Sequence, residues 1–125
     1  WLMLQQEVAE DFVIATGIQH SIRDLVNTAA AALEIDIDWQ GSGQDEIGID
    51  AATGKTIVSI DPNYFRPTEV DTLLGDARYA REKLGWEPKV SFEALVQEMT
   101  AADLEDAEKV KHIRDGGYDV PKRRE

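Results

Sequence analysis

The side chains best suited to gripping a ligand lie in one run, Asp61-Pro62-Asn63-Tyr64-Phe65-Arg66-Pro67-Thr68-Glu69-Val70-Asp71. Pro62 and Pro67 fix φ and restrain a connection after an apolar stretch that ends at Ile60. Arg66 and Glu69 are thereby left close in sequence and outside any regular apolar pattern. A guanidinium donates parallel hydrogen bonds to phosphate oxygens, and a carboxylate accepts from paired ribose hydroxyls. Arg66 and Glu69 are therefore the candidate substrate-binding pair. From the residues alone, a surface ion pair beside a packed Tyr64/Phe65 turn is the simpler reading, and it stays open at this point.

The other polar groups point to less. His20 sits just before a helix start and His112 near the charged end of the chain, without metal-ligand context around either. Asp45, Glu46 and Asp50 form an acidic stretch that reads as wet surface rather than a magnesium site. Trp39 and Trp86 read as packing or domain-contact anchors, since no basic groove accompanies them as a base-stacking platform would require. Ser21, Ser42, Ser59 and Ser91 have no evident histidine and carboxylate partners, so no catalytic residue is assigned in this chain. Gly41, Gly43, Gly48 and Gly54 superficially suggest a phosphate cradle, but a dinucleotide fingerprint runs from strand through G-x-G-x-x-G into a helix. Here Gly41 and Gly43 lead to Glu46 and a further strand-like stretch, so tight turns are the expected use of these glycines.

The elements that must position Arg66 and Glu69 follow from periodicity. Phe12 to Ala15, closed by Thr16 and Gly17, suits a buried strand and turn. Ser21 precedes Ile22, Leu25, Val26, Ala29, Ala30 and Leu33, which share one helical face, and Ser21 with Asp24 resembles a capping box with Asp replacing the usual Glu. Ile35, Ile37 and Trp39 alternate with aspartates, and Lys55 to Ile60 is apolar enough for a second strand. A short helix after Asp76 ends at Gly85, with Pro88 beyond it, and residues 91–114 form one long helix or two shorter ones broken near Asp103. Strands mixed with helices imply a small α/β layer architecture.

The chain has 125 residues, 25 acidic against 13 basic, and a formal charge of -12, which argues against a generic nucleic-acid binder. At 42% apolar and 30% charged it is globular in composition, and no apolar run approaches the roughly 20 residues that span a bilayer. With no cysteine, thiolate chemistry and disulfides are excluded. The start, Trp1-Leu2-Met3-Leu4, reads as the inside of an element whose beginning is missing. Residues 106–125 read as a charged extension, with Lys122, Arg123 and Arg124 a solvated terminus.

Taken together, the ordered series WLMLQQ, EDFVIATG, SIRDLV, DWQGSGQDEIG, DPNYFRPTEVD and LLGDARYAREKLGWEPKVSFEALVQEM resembles the carboxy-terminal portion of the GDP-mannose 4,6-dehydratases, within the extended short-chain dehydrogenases/reductases. The individual pieces are weak, but their order and spacing are specific. The resembling run covers residues 1 to about 105, and the remainder is poorly diagnostic.

That resemblance implies the small, nucleotide-sugar-binding portion of a two-part enzyme whose NADP-binding Rossmann domain is largely absent from this chain. It implies that Arg66 engages the GDP-mannose diphosphate and Glu69 the guanosine ribose, with Tyr64, Phe65, Pro67 and Thr68 shaping the loop. It further implies oxidation at mannose C4, loss of water across C5 and C6, and return of hydride to C6. The product would be GDP-4-dehydro-6-deoxymannose, a precursor of GDP-fucose or GDP-rhamnose type sugars. The family's glycine-rich cofactor fingerprint, catalytic Tyr/Lys pair and acid/base Thr and Glu have no matching positions here. NADP would therefore be held mainly outside this chain, and the 125 residues alone would be inactive. A cytoplasmic homo-oligomer with neither nucleic-acid nor membrane partners is the corresponding expectation. Two alternatives stand beside it: a standalone nucleotide-sugar-binding or interaction module, and another epimerase or reductase acting on nucleoside-diphosphate sugars.

Overall fold

A computed structural model describes residues 1–66, 68 and 72–120, and its regular elements are three α-helices and one three-stranded sheet. The first helix, α1 (Ile22–Ala32), begins where the sequence supplies its cap. Ser21 Oγ accepts from the Asp24 N–H at 3.0 Å, and Asp24 Oδ2 accepts from the Ser21 N–H at 2.8 Å, so the capping box closes with Asp in the glutamate position. Those hydrogen bonds from Ser21 hold the Asp24 carboxyl below its ordinary value. α1 ends as Glu34 enters the left-handed region at φ 59° and the Ile35 N–H reaches back to the Ala30 carbonyl at 2.9 Å.

The strands β1 (Ile37–Gln40), β2 (Ile47–Asp50) and β3 (Thr56–Ser59) form an antiparallel meander in the order β1-β2-β3. The stretch between the two strands expected from sequence therefore holds a strand of its own. Asp50 shapes the β2–β3 turn: its carboxylate accepts from the Ala52 N–H at 2.9 Å and the Thr53 hydroxyl at 2.5 Å. Register aligns Trp39, Gly48 and Val58 across the sheet. A β-carbon on Gly48 would meet Ile37 Cγ2 at 3.0 Å, Val58 Cβ at 3.1 Å and Trp39 Cζ3 at 3.3 Å. The side chains of both outer strands close over this glycine, and that is why the central strand carries none of its own there.

α2 (Arg78–Leu84) is introduced by Asp76, whose carboxylate grips both the Arg78 N–H and its guanidinium, and it ends at Gly85 with φ 62°. α3 (Phe92–Asp115) is capped by Ser91, whose Oγ accepts from the Ala94 N–H at 3.2 Å. Of the two expected alternatives the single helix is observed, and it passes Asp103 and residues 105–106 without a break. α1 packs on α3, and the His20 and Phe92 rings stack at 3.8 Å between centroids where the two helices begin.

One expected element is absent. Phe12 to Ala15 is not a strand. The three strands satisfy one another, and residues 10–16 instead lie along α2. Phe12 stacks on Tyr79 at 5.4 Å, the Tyr79 hydroxyl donates to Glu10 at 3.0 Å, and Arg81 donates to the Thr16 carbonyl at 3.2 Å. Val13 and Ile14 of this run are exposed rather than buried.

The hydrophobic residues buried among those described are Ala30, Ala77, Ala80 and Val96. The chain exposes 10,824 Å², against about 6,700 Å² for a closed monomer of its mass. Trp1, Leu4, Ile22 and Leu73 are all largely exposed. These elements are thus stitched by local caps and pairwise contacts more than by a deep core.

Two consequences are measurable. Gly48→Val should overpack the sheet and destabilise it by about 1–3 kcal/mol in chemical denaturation, with altered Trp39 fluorescence. Asp24 stabilises the fold above the ordinary carboxylate pKa, and that contribution is lost as pH falls through its lowered folded value. The Tm gap between the wild type and Asp24→Asn should therefore be full at neutral pH and close in acid.

Candidate functional site

Among the described residues, an open cleft of about 790 Å³ lies between the start of α1, the sheet and the loop that leaves β3. Trp39 is among its lining residues, and α1 holds that indole in place. The Trp39 Nε1–H donates to Asn27 Oδ1 at 2.9 Å, while the Arg23 guanidinium lies 5.3 Å from the indole centroid. Arg23 and Asn27 are four residues apart, so they project from one face of α1. Arg23 also forms an ion pair with Glu46, which immediately precedes β2. The pair ties helix to sheet across the cleft wall.

The loop singled out from sequence also lines the cleft. Asp61 organises it: its carboxylate accepts from the Asn63 N–H at 2.8 Å and side-chain amide at 2.9 Å, while its carbonyl accepts from the Tyr64 N–H at 3.1 Å. This turn sets Tyr64, Phe65 and Arg66 along the cleft. Tyr64 is exposed, so its ring is accessible to a ligand. Glu69, the second member of the candidate pair, lies outside the described residues, as do Pro67 and the basic residues Lys122, Arg123 and Arg124.

The cleft therefore joins Arg66 to three residues that sequence reasoning did not assign to it. Trp39 was expected only to pack, Glu46 only to face water, and Arg23 was not singled out at all. One signal for Arg23 was available. A cation in the first turn of a helix opposes the macrodipole, so its presence there calls for an anionic partner, which Glu46 supplies.

The remaining candidates have structural roles. His20 stacks on Phe92, Ser21 and Ser91 cap helices, and Asp50 closes a turn. Among the described residues no group of three His, Cys, Asp or Glu is arranged to hold a metal, and no helix is long and apolar enough to cross a membrane. The loop with Gly41 and Gly43 joins antiparallel strands through a short 3-10 turn and leads into no α-helix. Trp86 is partly buried, beside a hollow that Trp1, Leu2, Ile14 and Leu84 also line. Chemically, the main cleft is lined by guanidinium groups at Arg23 and Arg66, a carboxylate at Glu46 and aromatic side chains at Trp39, Tyr64 and Phe65. Such a set suits an elongated ligand with an anionic portion and a flat ring.

Comparison with known proteins agrees with this chemistry. Residues 1–99 match the family model described as GDP-mannose 4,6 dehydratase. A GDP-mannose 4,6-dehydratase of Vibrio cholerae serotype O1 is 44% identical, covering 96% of this chain and 35% of the relative. The Drosophila melanogaster GDP-mannose 4,6 dehydratase is 50% identical over 84% of this chain and 27% of its own length. The human one is 49% identical over 84% of this chain and 28% of its own. The chain thus spans about a third of the length of the curated relatives it matches. With a family match over residues 1–99 and relatives of this identity along most of its length, the chain belongs to the GDP-mannose 4,6-dehydratase family.

Proposed function

We propose that these residues are the nucleotide-sugar-holding portion of an enzyme that converts GDP-mannose to GDP-4-dehydro-6-deoxymannose and water. The observation that carries this reading is the position of Arg66 on an open, aromatic-walled cleft within the region matched by the family model. In that role Arg66 donates to the diphosphate and Glu69 accepts from the guanosine ribose, while Tyr64 and Phe65 shape the intervening wall. Neither Arg66 nor Glu69 transfers a proton. Both orient the sugar so that chemistry on C4, C5 and C6 proceeds from a fixed pose.

The NADP implied by the family resemblance finds no cradle among the described residues, because the glycine-rich loop runs from strand to strand. No hydride step is therefore assigned to this chain. Its accessible area, far above that of a closed monomer, favours work against further protein surface over a standalone binding module. In this reading the whole enzyme is a cytoplasmic self-associating lyase.

The tests belong in the full-length polypeptide that contains these residues. Arg66→Ala should raise the Kd for GDP-mannose about 10- to 100-fold by calorimetry with cofactor binding intact, as expected for a lost charge-assisted phosphate contact. Unchanged affinity in the folded variant would overturn the assignment. Glu69→Ala should bring the affinity for GDP down to that for its 2′-deoxyribose analogue. Persistent discrimination between the two would make Glu69 a purely structural residue.

A further inference from the structure

We propose that the distal half of α3 is a contact face for a second copy of the same chain, met antiparallel about a two-fold axis between Glu108 and Lys109. The inference rests on the self-association in the reading above and names one surface through which it occurs; what the cleft binds does not enter it. α1 has 11 residues and α3 has 24, and the two begin together at the His20–Phe92 stack, so α1 is too short to follow α3 to its end. Val96 of α3 is buried, yet from 101 to 115 every residue is exposed except Val110, which is half-buried. Asp103, Ala107, Val110 and Arg114 follow Val96 at spacings of seven, four, three and four, so they prolong its line along one helical face. Such a stripe, with Ala107 and Val110 at its middle, is the seam of a helix pair. It lies beyond residues 1–99, which the family model matches.

Charge selects the partner and its direction. Asp103, Glu105, Asp106 and Glu108 come first along this half of α3, and Lys109, Lys111 and Arg114 follow. A partner of one charge sign would match one part of the face and be repelled by the other. Only a surface with the reverse order of charge matches both, and the same helix read backwards is such a surface. Two copies in the same direction would set acid against acid. Turned antiparallel about the midpoint of 108 and 109, positions equally far from it come level. Asp103 then meets Arg114 of the second copy at each end of the seam, and Ala107 meets Val110 on either side of the axis. The exposed Leu104 and Ile113 flank the seam and also come level. Opposed macrodipoles favour the same direction. Lys109 is committed within its own helix, with Nζ 2.7 Å from Glu105 and 3.6 Å from Asp106. Asp103 and Arg114 enter none of the ion pairs found among the described residues, so their charges are available across the seam. Half a helix per copy buries less than the roughly 800 Å² per partner of a standard interface, so the contact should dissociate on dilution.

A solvated helix end would carry the same charges, so the test must read pairing between copies. Sedimentation velocity of the full-length polypeptide over a concentration series at low ionic strength gives the Kd of the association step that dilution reverses. Asp103→Arg and Arg114→Asp each set like charges against each other at both ends of the seam, and each should weaken that step at least about ten-fold. The double swap Asp103→Arg/Arg114→Asp restores opposite charges across the seam and should return the Kd to within about three-fold of wild type. The two positions lie roughly 16 Å apart along one helix, so this recovery cannot arise within a single copy. Should Arg114→Asp fray the last turn of α3, seen as lost ellipticity, Ala107→Arg takes its place. It brings two guanidinium groups together beside the two-fold axis and must weaken association by the same measure. A wild type with no step that dilution reverses overturns the contact, and if it sediments as single protomers throughout, the self-association in the reading above falls with it. A wild type that associates, with a Kd unmoved by either charge reversal, refutes only the face named here. A double swap as weak as the single variants overturns the antiparallel pairing.

Discussion

The indole of Trp39 is the piece against which the cleft is assembled. It lies over Gly48 on the sheet, donates to Asn27 from its edge and carries Arg23 on its ring. An aromatic ring fixed in this way spans helix and sheet with one side chain. Remove the space at Gly48 and the ring is displaced. Move the ring and α1 loses its contact with the sheet, Arg23 loses its support, and the Arg23–Glu46 pair no longer faces the loop that carries Arg66. The site is thus as rigid as the β1–β2 register that sets Trp39 opposite Gly48.

Acidic residues dominate the chain, and many serve as local fasteners. Asp24 closes the α1 cap, Asp50 the β2–β3 turn and Asp61 the cleft loop, while Asp76 starts α2. Each accepts hydrogen bonds from nearby backbone amides, and the carboxyls of Asp24, Asp50 and Asp76 are held below their ordinary value by hydrogen bonding. The Arg78 guanidinium, followed by the Arg78 amide, holds the Asp76 carboxyl down to about 2. A net charge of -12 therefore coexists with a cleft bearing two arginines. In so acidic a protein, any attraction of the cleft for an anion is local to those side chains and does not come from the overall field.

The exposed apolar groups complete the picture. Residues 10–16 are strapped to α2 by ring stacking and polar contacts, yet Val13 and Ile14 remain open, as do Trp1 and Leu4. Apolar area of this extent is stable in water when further protein covers it. That agrees with the proposed role as one portion of a longer enzyme, in which these residues hold the nucleotide sugar and another portion supplies the redox chemistry.

Much of the local structure was legible in the residues themselves, because caps and helix faces depend on near neighbours. Ser21 with Asp24, Ser91, Gly85 and the 3.6-residue apolar rhythm of α1 each act within a turn or two of chain, and each appears where the pattern places it. The Asp61 to Arg66 connection was legible for the same reason, since prolines and an Asx turn are local devices. Apolarity could not by itself distinguish a strand from an extended strap, so Phe12 to Ala15 was misread: a strand exists only where another strand donates to it, and here α2 is the neighbour. Nor could separation along the chain reveal that Arg23, Trp39, Glu46 and Arg66 share one cleft. Their meeting depends on the antiparallel register and on the side-chain contacts of α1 with Trp39 and Glu46, which are long-range contacts that no local pattern encodes.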